Sequence, residues 1–298
     1  MLALSAALAV QTAAVGLPVR PPYTGGTHVT FRKSVPAKVT LPVLMYHHVA
    51  EEGDSSATIS EKLLEEHLSA LKENGYEAIS FDELMDYVDG KSGLPSKPIA
   101  IVFDDGYESN VTLALPLLEK YGAKATVCVI GWSVGKTEYK DTGKPMIPHF
   151  DWDSARKLID SGLVTIGMHT YDMHQTRDYE SGTARESAVK LSGESDENFV
   201  TALTEDYMKL SGEIEHELSY VPTIFAYPHG EWDELSESTI RGLGARVTMT
   251  TDAHLNEIKR GDADSLYLLG RYNMNETISS EELIRLISGK DSSVSDEK

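Results

Sequence analysis

The chain has 298 residues, 41% of them hydrophobic and 25% charged, with 47 Asp and Glu against 27 Lys and Arg and a formal net charge of −20. That imbalance solubilises the surface and makes nucleic acid and anionic membranes poor partners, because both are held by basic patches. Cys128 is the only cysteine, which excludes an intrachain disulfide and a cysteine-based zinc site, so any metal must be held by His, Asp or Glu.

The first 40 residues open with an apolar, Ala-rich stretch followed by Pro18 and Arg20. It resembles the apolar part and processing site of a secretory signal without the basic start. The expectation is a signal remnant and leader over 1–40, an extracytoplasmic mature protein and no membrane span; a disordered cytoplasmic leader is the alternative. "LPVLMY" (41–46) reads as a first strand. Ser60 caps a helix with Leu64, Leu68 and Leu71 on one face and Gly75 as its stop. "EAIS" is a short second strand, and Ser80 and Glu83 form a capping-box spacing ahead of "LMDYV".

"PIAIVF" (98–103) is a third strand, apolar throughout and so buried on both faces. A helix containing Pro116 follows, kinked or starting late. "ATVCVI" is a fourth strand, with Cys128 as a small buried hydrophobe. "WDSARKLIDSG" is a helix ending at Gly162, and "LVTIGM" (163–168) a fifth strand. Residues 179–198 are polar and read as a surface insertion. Val200, Leu203, Tyr207, Leu210, Ile214 and Leu218 then mark one face of a long helix. "PTIFAY" (222–227), "ARVTMT" (245–250) and "LYLLG" (266–270) are three further strands. A helix with Leu283, Ile284 and Ile287 precedes a disordered tail at 291–298. This alternation predicts an α/β fold: a single distorted (β/α) barrel of about seven or eight mostly parallel strands, one domain over 41–290.

In such a barrel functional groups gather at the C-terminal ends of the strands. There the chain places His47 and His48, Asp104 and Asp105, His169 and His174, His229, and Arg271. Taken singly these residues have ordinary explanations: an Asp pair after a strand serves as a turn or cap, and a histidine there as a hydrogen-bonded structural group. Together they supply one Asp and two His for a metal, with a further Asp and His to spare. A three-ligand site with open positions is a hydrolytic arrangement. An iron oxygenase with two His and one carboxylate, and a non-catalytic glycan-binding protein, are the competing classes.

The motifs resemble those of the polysaccharide deacetylases, the NodB-homology or carbohydrate esterase family 4 group. "FDDG" (103–106), "HTYDMH" (169–174) and "FAYPHG" (225–230) are similar to the family's first three motifs, in that order, within a resemblance running from about Leu41 to Met274. The resemblance implies Asp104 as catalytic base and Asp105, His169 and His174 as ligands of a divalent metal. Zinc is the expected ion, with cobalt or nickel as alternatives. It implies a groove at Tyr227, Pro228, His229 and Arg271, with the His229 N–H facing the oxyanion. The histidines stand five apart rather than the commoner four, Ala226 replaces an Arg, and no Leu-x-His follows near the last strand. With "MYHHV" (45–49), these departures resemble the branch acting on poly-β-1,6-N-acetyl-D-glucosamine in biofilm matrices. That branch takes its general acid from an N-terminal Tyr-His, here His47, with His48 as the competitor. The implied partner is an acetylated amino-sugar polymer. Deacetylation of chitin oligomers or peptidoglycan, or O-acetyl xylan esterase activity, is the alternative on the same fold.

Overall fold

Pro42, which has no N–H to give to a ladder, divides the first apolar run in two. In the computed structural model, which describes residues 35–53 and 56–289, β1 (Lys38–Leu41) and β2 (Val43–Tyr46) belong to different sheets. The signal-like segment and the tail expected at 291–298 lie outside the described residues, and sheet pairing begins ahead of residue 41.

The chain continues through β3 (His48–Ala50) and β4 (Thr58–Ser60), a small parallel pair, to α1 (Glu61–Glu73). Then come β5 (Glu77–Ala78), α2 (Phe81–Val88) and β6 (Pro98–Asp105). A π-helical turn at Asn110–Ala114 leads into α3 (Leu115–Tyr121), so the Pro116 helix starts late and holds its proline in the first turn, where no N–H is needed. β7 (Ala125–Val129), α4 (Trp152–Asp160) and β8 (Val164–Met168) follow. Ser195 caps α5 (Asp196–Leu218), so the helix begins inside the stretch expected to be insertion. The remainder is β9 (Ile224–Ala226), α6 (Glu234–Gly242), β10 (Val247–Met249), β11 (Asn256–Lys259), β12 (Tyr272–Asn273) and α7 (Ser280–Ile287).

The main sheet runs in the order β10-β9-β8-β7-β6-β2-β12 with β5 also on β6, and every pairing in it is parallel. β11 pairs antiparallel with β1 outside it. The strand expected at 266–270 is displaced. Ala263–Leu266 form a 3-10 turn and Leu268 is left-handed (φ 54°), which breaks the extended chain before β12. Leu269 still bridges Met249 while Tyr272 and Asn273 pair with β2, so this short segment links both ends of the sheet and closes the distorted barrel.

Period-two alternation sorts the side chains into two layers. Leu44, Tyr46, Ile101, Phe103, Val127 and Ile166 face outward and pack under α1, α3, α4 and α5. Val43, Ala100, Val102, Cys128, Ala226 and Met249 face inward, where Phe81, Leu84 and Met85 of α2 fill the barrel. Cys128 is therefore the buried hydrophobe its sequence context indicates.

Candidate metal centre

The inward register carries straight on to the rim. Val43 and Met45 are followed by His47, and Ala100 and Val102 by Asp104. His47 lines a cavity of about 460 Å³ with Asp104, Asp105, His169, His174 and His229. His48 faces the other way, and its Nδ1 meets Ser109 Oγ at 2.9 Å. Alternation thus separates the two histidines as the sequence requires.

Asp105 breaks the alternation. By strand register it belongs on the outer face, yet it forms the centre of a γ-turn with φ 73°, closed by the Gly106 N–H donating to the Asp104 carbonyl at 3.0 Å. That strained turn brings two adjacent carboxylates into one cavity. Thr170 (φ 68°) and His229 (φ 56°) are left-handed as well, two residues past β8 and within the turn after β9. Three strand ends thus carry left-handed non-glycine residues around one cavity.

Asp105, His169 and His174 offer ligand atoms that lie within 4.8 Å of one another. The His169 and His174 Nε2 atoms stand 3.6 and 3.7 Å from Asp105 Oδ1, too far for hydrogen bonds. Ligand atoms bound about 2.1 Å from a tetrahedral centre would lie about 3.4 Å apart, so the two Asp105–histidine spacings suit a small divalent ion. The His169 Nδ1–H donates to the Ala226 carbonyl at 2.8 Å, which leaves the Nε2 lone pair for the cavity. Burial is the main cause that pushes His174 down to about 4, so at neutral pH its imidazole is uncharged, the form a metal needs. Asp105 Oδ1 is buried with no hydrogen-bond partner among the described residues. An orphaned carboxylate oxygen facing two imidazole nitrogens fits a cation.

Asp104 is held differently. Burial opposes its ionisation, but the charges of Arg271, His169 and His47 outweigh that and hold the carboxyl below the usual range. Arg271 Nη1 donates to Asp104 Oδ1 at 2.8 Å, and its Nε donates to the Thr250 carbonyl at 2.8 Å. Burial opposes Asp105 too, and the surrounding histidines, His174 foremost, more than offset it. The charge of Asp105, together with burial, drives the Tyr107 phenol far above its ordinary range.

Seven of the nine expected site residues line this cavity, and Tyr227 and Pro228 do not. Arg271 borders the cavity but is 1% exposed, so it serves Asp104 rather than forming an open groove. Tyr227 does not line the cavity: it points outward into the core, and its hydroxyl donates to the buried Glu237 at 2.9 Å. Pro228 is buried in the turn that presents His229. Tyr107, Thr251 and Asn273 were not singled out from sequence. Tyr107 directly follows "DDG", the one local signal available. His229 also borders a neighbouring cleft of about 910 Å³ walled by residues 177–194.

Comparison with known proteins gives a consistent picture. A family model described as polysaccharide deacetylase matches residues 91–248. YxkH of Bacillus subtilis (strain 168), named as a candidate polysaccharide deacetylase, is 27% identical over 226 residues, covering 76% of this chain and 69% of that protein. A poly-β-1,6-N-acetyl-D-glucosamine N-deacetylase of Escherichia coli O157:H7 is 24% identical over 260 residues, covering 78% of this chain and 38% of that protein. The chain thus spans well under half the length of this second relative. The solved structure of a de-N-acetylase from Aggregatibacter actinomycetemcomitans superposes with a TM-score of 0.69 at 24% identity, covering 83% of this chain and all of that one, which shows the shared fold.

Proposed function

The chain belongs to the polysaccharide deacetylase family, and from that premise we propose that it hydrolyses N-acetyl groups on an extracytoplasmic amino-sugar polysaccharide, with poly-β-1,6-N-acetyl-D-glucosamine as its preferred substrate. The observation that carries the reading is one cavity holding three metal-ligand groups together with Asp104 and His47. The polymer preference draws on the likeness to the E. coli enzyme of that name, and the cleft continuing past His229 suits a chain longer than the reacting sugar.

Asp105, His169 and His174 would hold a divalent ion, zinc in this reading, which would supply Lewis acidity toward an amide carbonyl and a water molecule. Asp104 takes the proton of the attacking water, and Arg271 keeps its carboxylate ionised for that purpose. The His229 N–H donates to the carbonyl oxygen as negative charge develops there. His47, across the cavity, gives a proton to the departing amine; its Nδ1 is buried with no hydrogen-bond partner among the described residues. An amine leaves poorly without that proton, so the acid decides amide over ester chemistry.

The test is acetate release from poly-β-1,6-N-acetyl-D-glucosamine, chitin oligomers and acetylated xylan, with and without chelator. Chelator-sensitive release is expected, fastest from the first polymer. Faster release from chitin oligomers would overturn the substrate assignment, and faster release from xylan the amide chemistry.

A further inference from the structure

The Asp206 carboxylate of α5 has no place in the chemistry above, yet it is bound to the loop that carries both histidine ligands. The main-chain N–H groups of Tyr171 and Asp172 donate to its Oδ1 and Oδ2, each at 2.7 Å. We propose that Asp206 is a positioning residue for the metal centre: by capping these two consecutive peptide groups it holds the bend that returns His174 to the side of His169. The inference deepens the metal-site reading and rests on it.

His169 needs little help. It directly follows β8, its N–H donates to the Val129 carbonyl at 2.9 Å, and its ring is tied to Ala226. His174 lies five residues further along. An extended chain would carry it about 16 Å away, at roughly 3.3 Å per residue. Instead, the ring centroids are 5.0 Å apart. The reversal starts at Thr170 with φ 68°, and the Met173 N–H donates to Thr170 Oγ1 at 3.2 Å. Between those two points stand the N–H groups of residues 171 and 172, and Asp206 accepts both.

An ionised carboxylate does this with both oxygens, through short charge-assisted bonds. An amide in its place would offer one oxygen and turn an NH₂ toward the other donor. A second contact joins the same helix to the same loop without touching its backbone: the Lys209 ammonium lies 3.7 Å from the centroid of the Tyr171 ring. Lys209 therefore serves as the control for general helix–loop packing.

The experiment titrates the metal-stripped full chain with Zn²⁺ against a chromophoric chelator, for wild type, Asp206→Asn, Asp206→Ala and Lys209→Ala. Absorption spectra of the Co²⁺-loaded proteins and melting of the stripped proteins accompany it. Loss of an outer support of this kind weakens metal affinity by about 10- to 100-fold. The expected result is such a loss in both Asp206 variants, near-wild-type affinity in Lys209→Ala, and a Co²⁺ spectrum of Asp206→Asn shifted away from that of wild type while that of Lys209→Ala is not. Stripped Asp206→Asn should melt cooperatively, which separates positioning from failure to fold. Asp206→Asn with wild-type Zn²⁺ affinity, or Lys209→Ala with an equal loss, overturns the inference. A wild-type chain that binds no stoichiometric Zn²⁺ overturns the metal-site reading itself, and this inference with it.

Discussion

Arg271→Gln tests the electrostatics of the site most directly. The guanidinium is 1% exposed and lies 2.8 Å from Asp104 Oδ1, so its removal leaves a carboxylate buried beside a neutral amide. An opposite charge at this range holds a carboxyl pKa down by about one to three units. At an effective dielectric of about 20, two charges 4 Å apart interact by about 4 kcal/mol, which agrees with the upper end. The variant should therefore move the acid limb of the kcat/KM profile upward by about one to three pH units, because the base stays protonated to higher pH. Activity relative to wild type should be lowest at acid pH and recover as pH rises. Removing one partner of a buried pair also costs about 3–5 kcal/mol of stability. The sign follows from the depressed pKa: Asp104 contributes stability above its ordinary value of 3.8, and that contribution is lost as pH falls below it. The melting deficit of the variant should be full at neutral pH and shrink in acid. The assays are pH–rate profiles on an acetylated oligomer, with metal content measured in parallel. An unmoved acid limb in a variant that keeps stoichiometric metal would refute the assignment of Arg271 as the group that keeps Asp104 ionised.

Three further outcomes are expected. Asp104→Asn should retain metal and lose hydrolysis by at least about 100-fold, the lower range for acid–base groups, whereas His174→Ala should lose both; elemental analysis beside acetate release distinguishes them. His47→Ala should cripple amide hydrolysis yet spare an activated acetyl ester, while His48→Ala, whose ring meets Ser109, should leave that ratio unchanged; the opposite pattern would exchange their roles. Cys128→Ser should keep activity with a stability loss of about 1–3 kcal/mol from a buried hydroxyl, read by thermal melting, and loss of metal from this variant would contradict a purely structural Cys128.

How much of this was legible in the sequence depends on where period-two alternation holds and where the chain leaves it. Up to the last strand residue it holds. Val43, Met45 and His47 share one face, as do Ala100, Val102 and Asp104, so the pattern says that only one of His47 and His48 enters the barrel, while the family resemblance is what selects His47. By the same rule Asp105 points outward, and only its γ-turn reverses that. Gly106 and Gly230 mark the turns in the sequence, but a glycine does not say that the residue before it is left-handed too. Leu268 adopts the same conformation between an apolar run and Arg271, which is why a strand expected at 266–270 resolves into a turn, a single bridge and β12.

The supports of the site come from a different kind of contact, one that leaves no periodic trace. Asp104 and Arg271 are 167 residues apart, and Asp206 reaches Tyr171 across 35. On α5, Asp206 sits between helix positions that pack inward, where an acidic residue reads as solvated surface. What identifies it is the backbone it meets, two N–H groups that the bend takes out of any ladder. Buried main-chain donors require partners, so a strand end bent far enough to gather two ligands on one ion creates a demand the strand cannot meet itself. Here the neighbouring helix meets it. The five-residue histidine spacing and the acid on α5 are then two parts of one device, and replacing Asp206 should be felt at His174 before it is felt anywhere else.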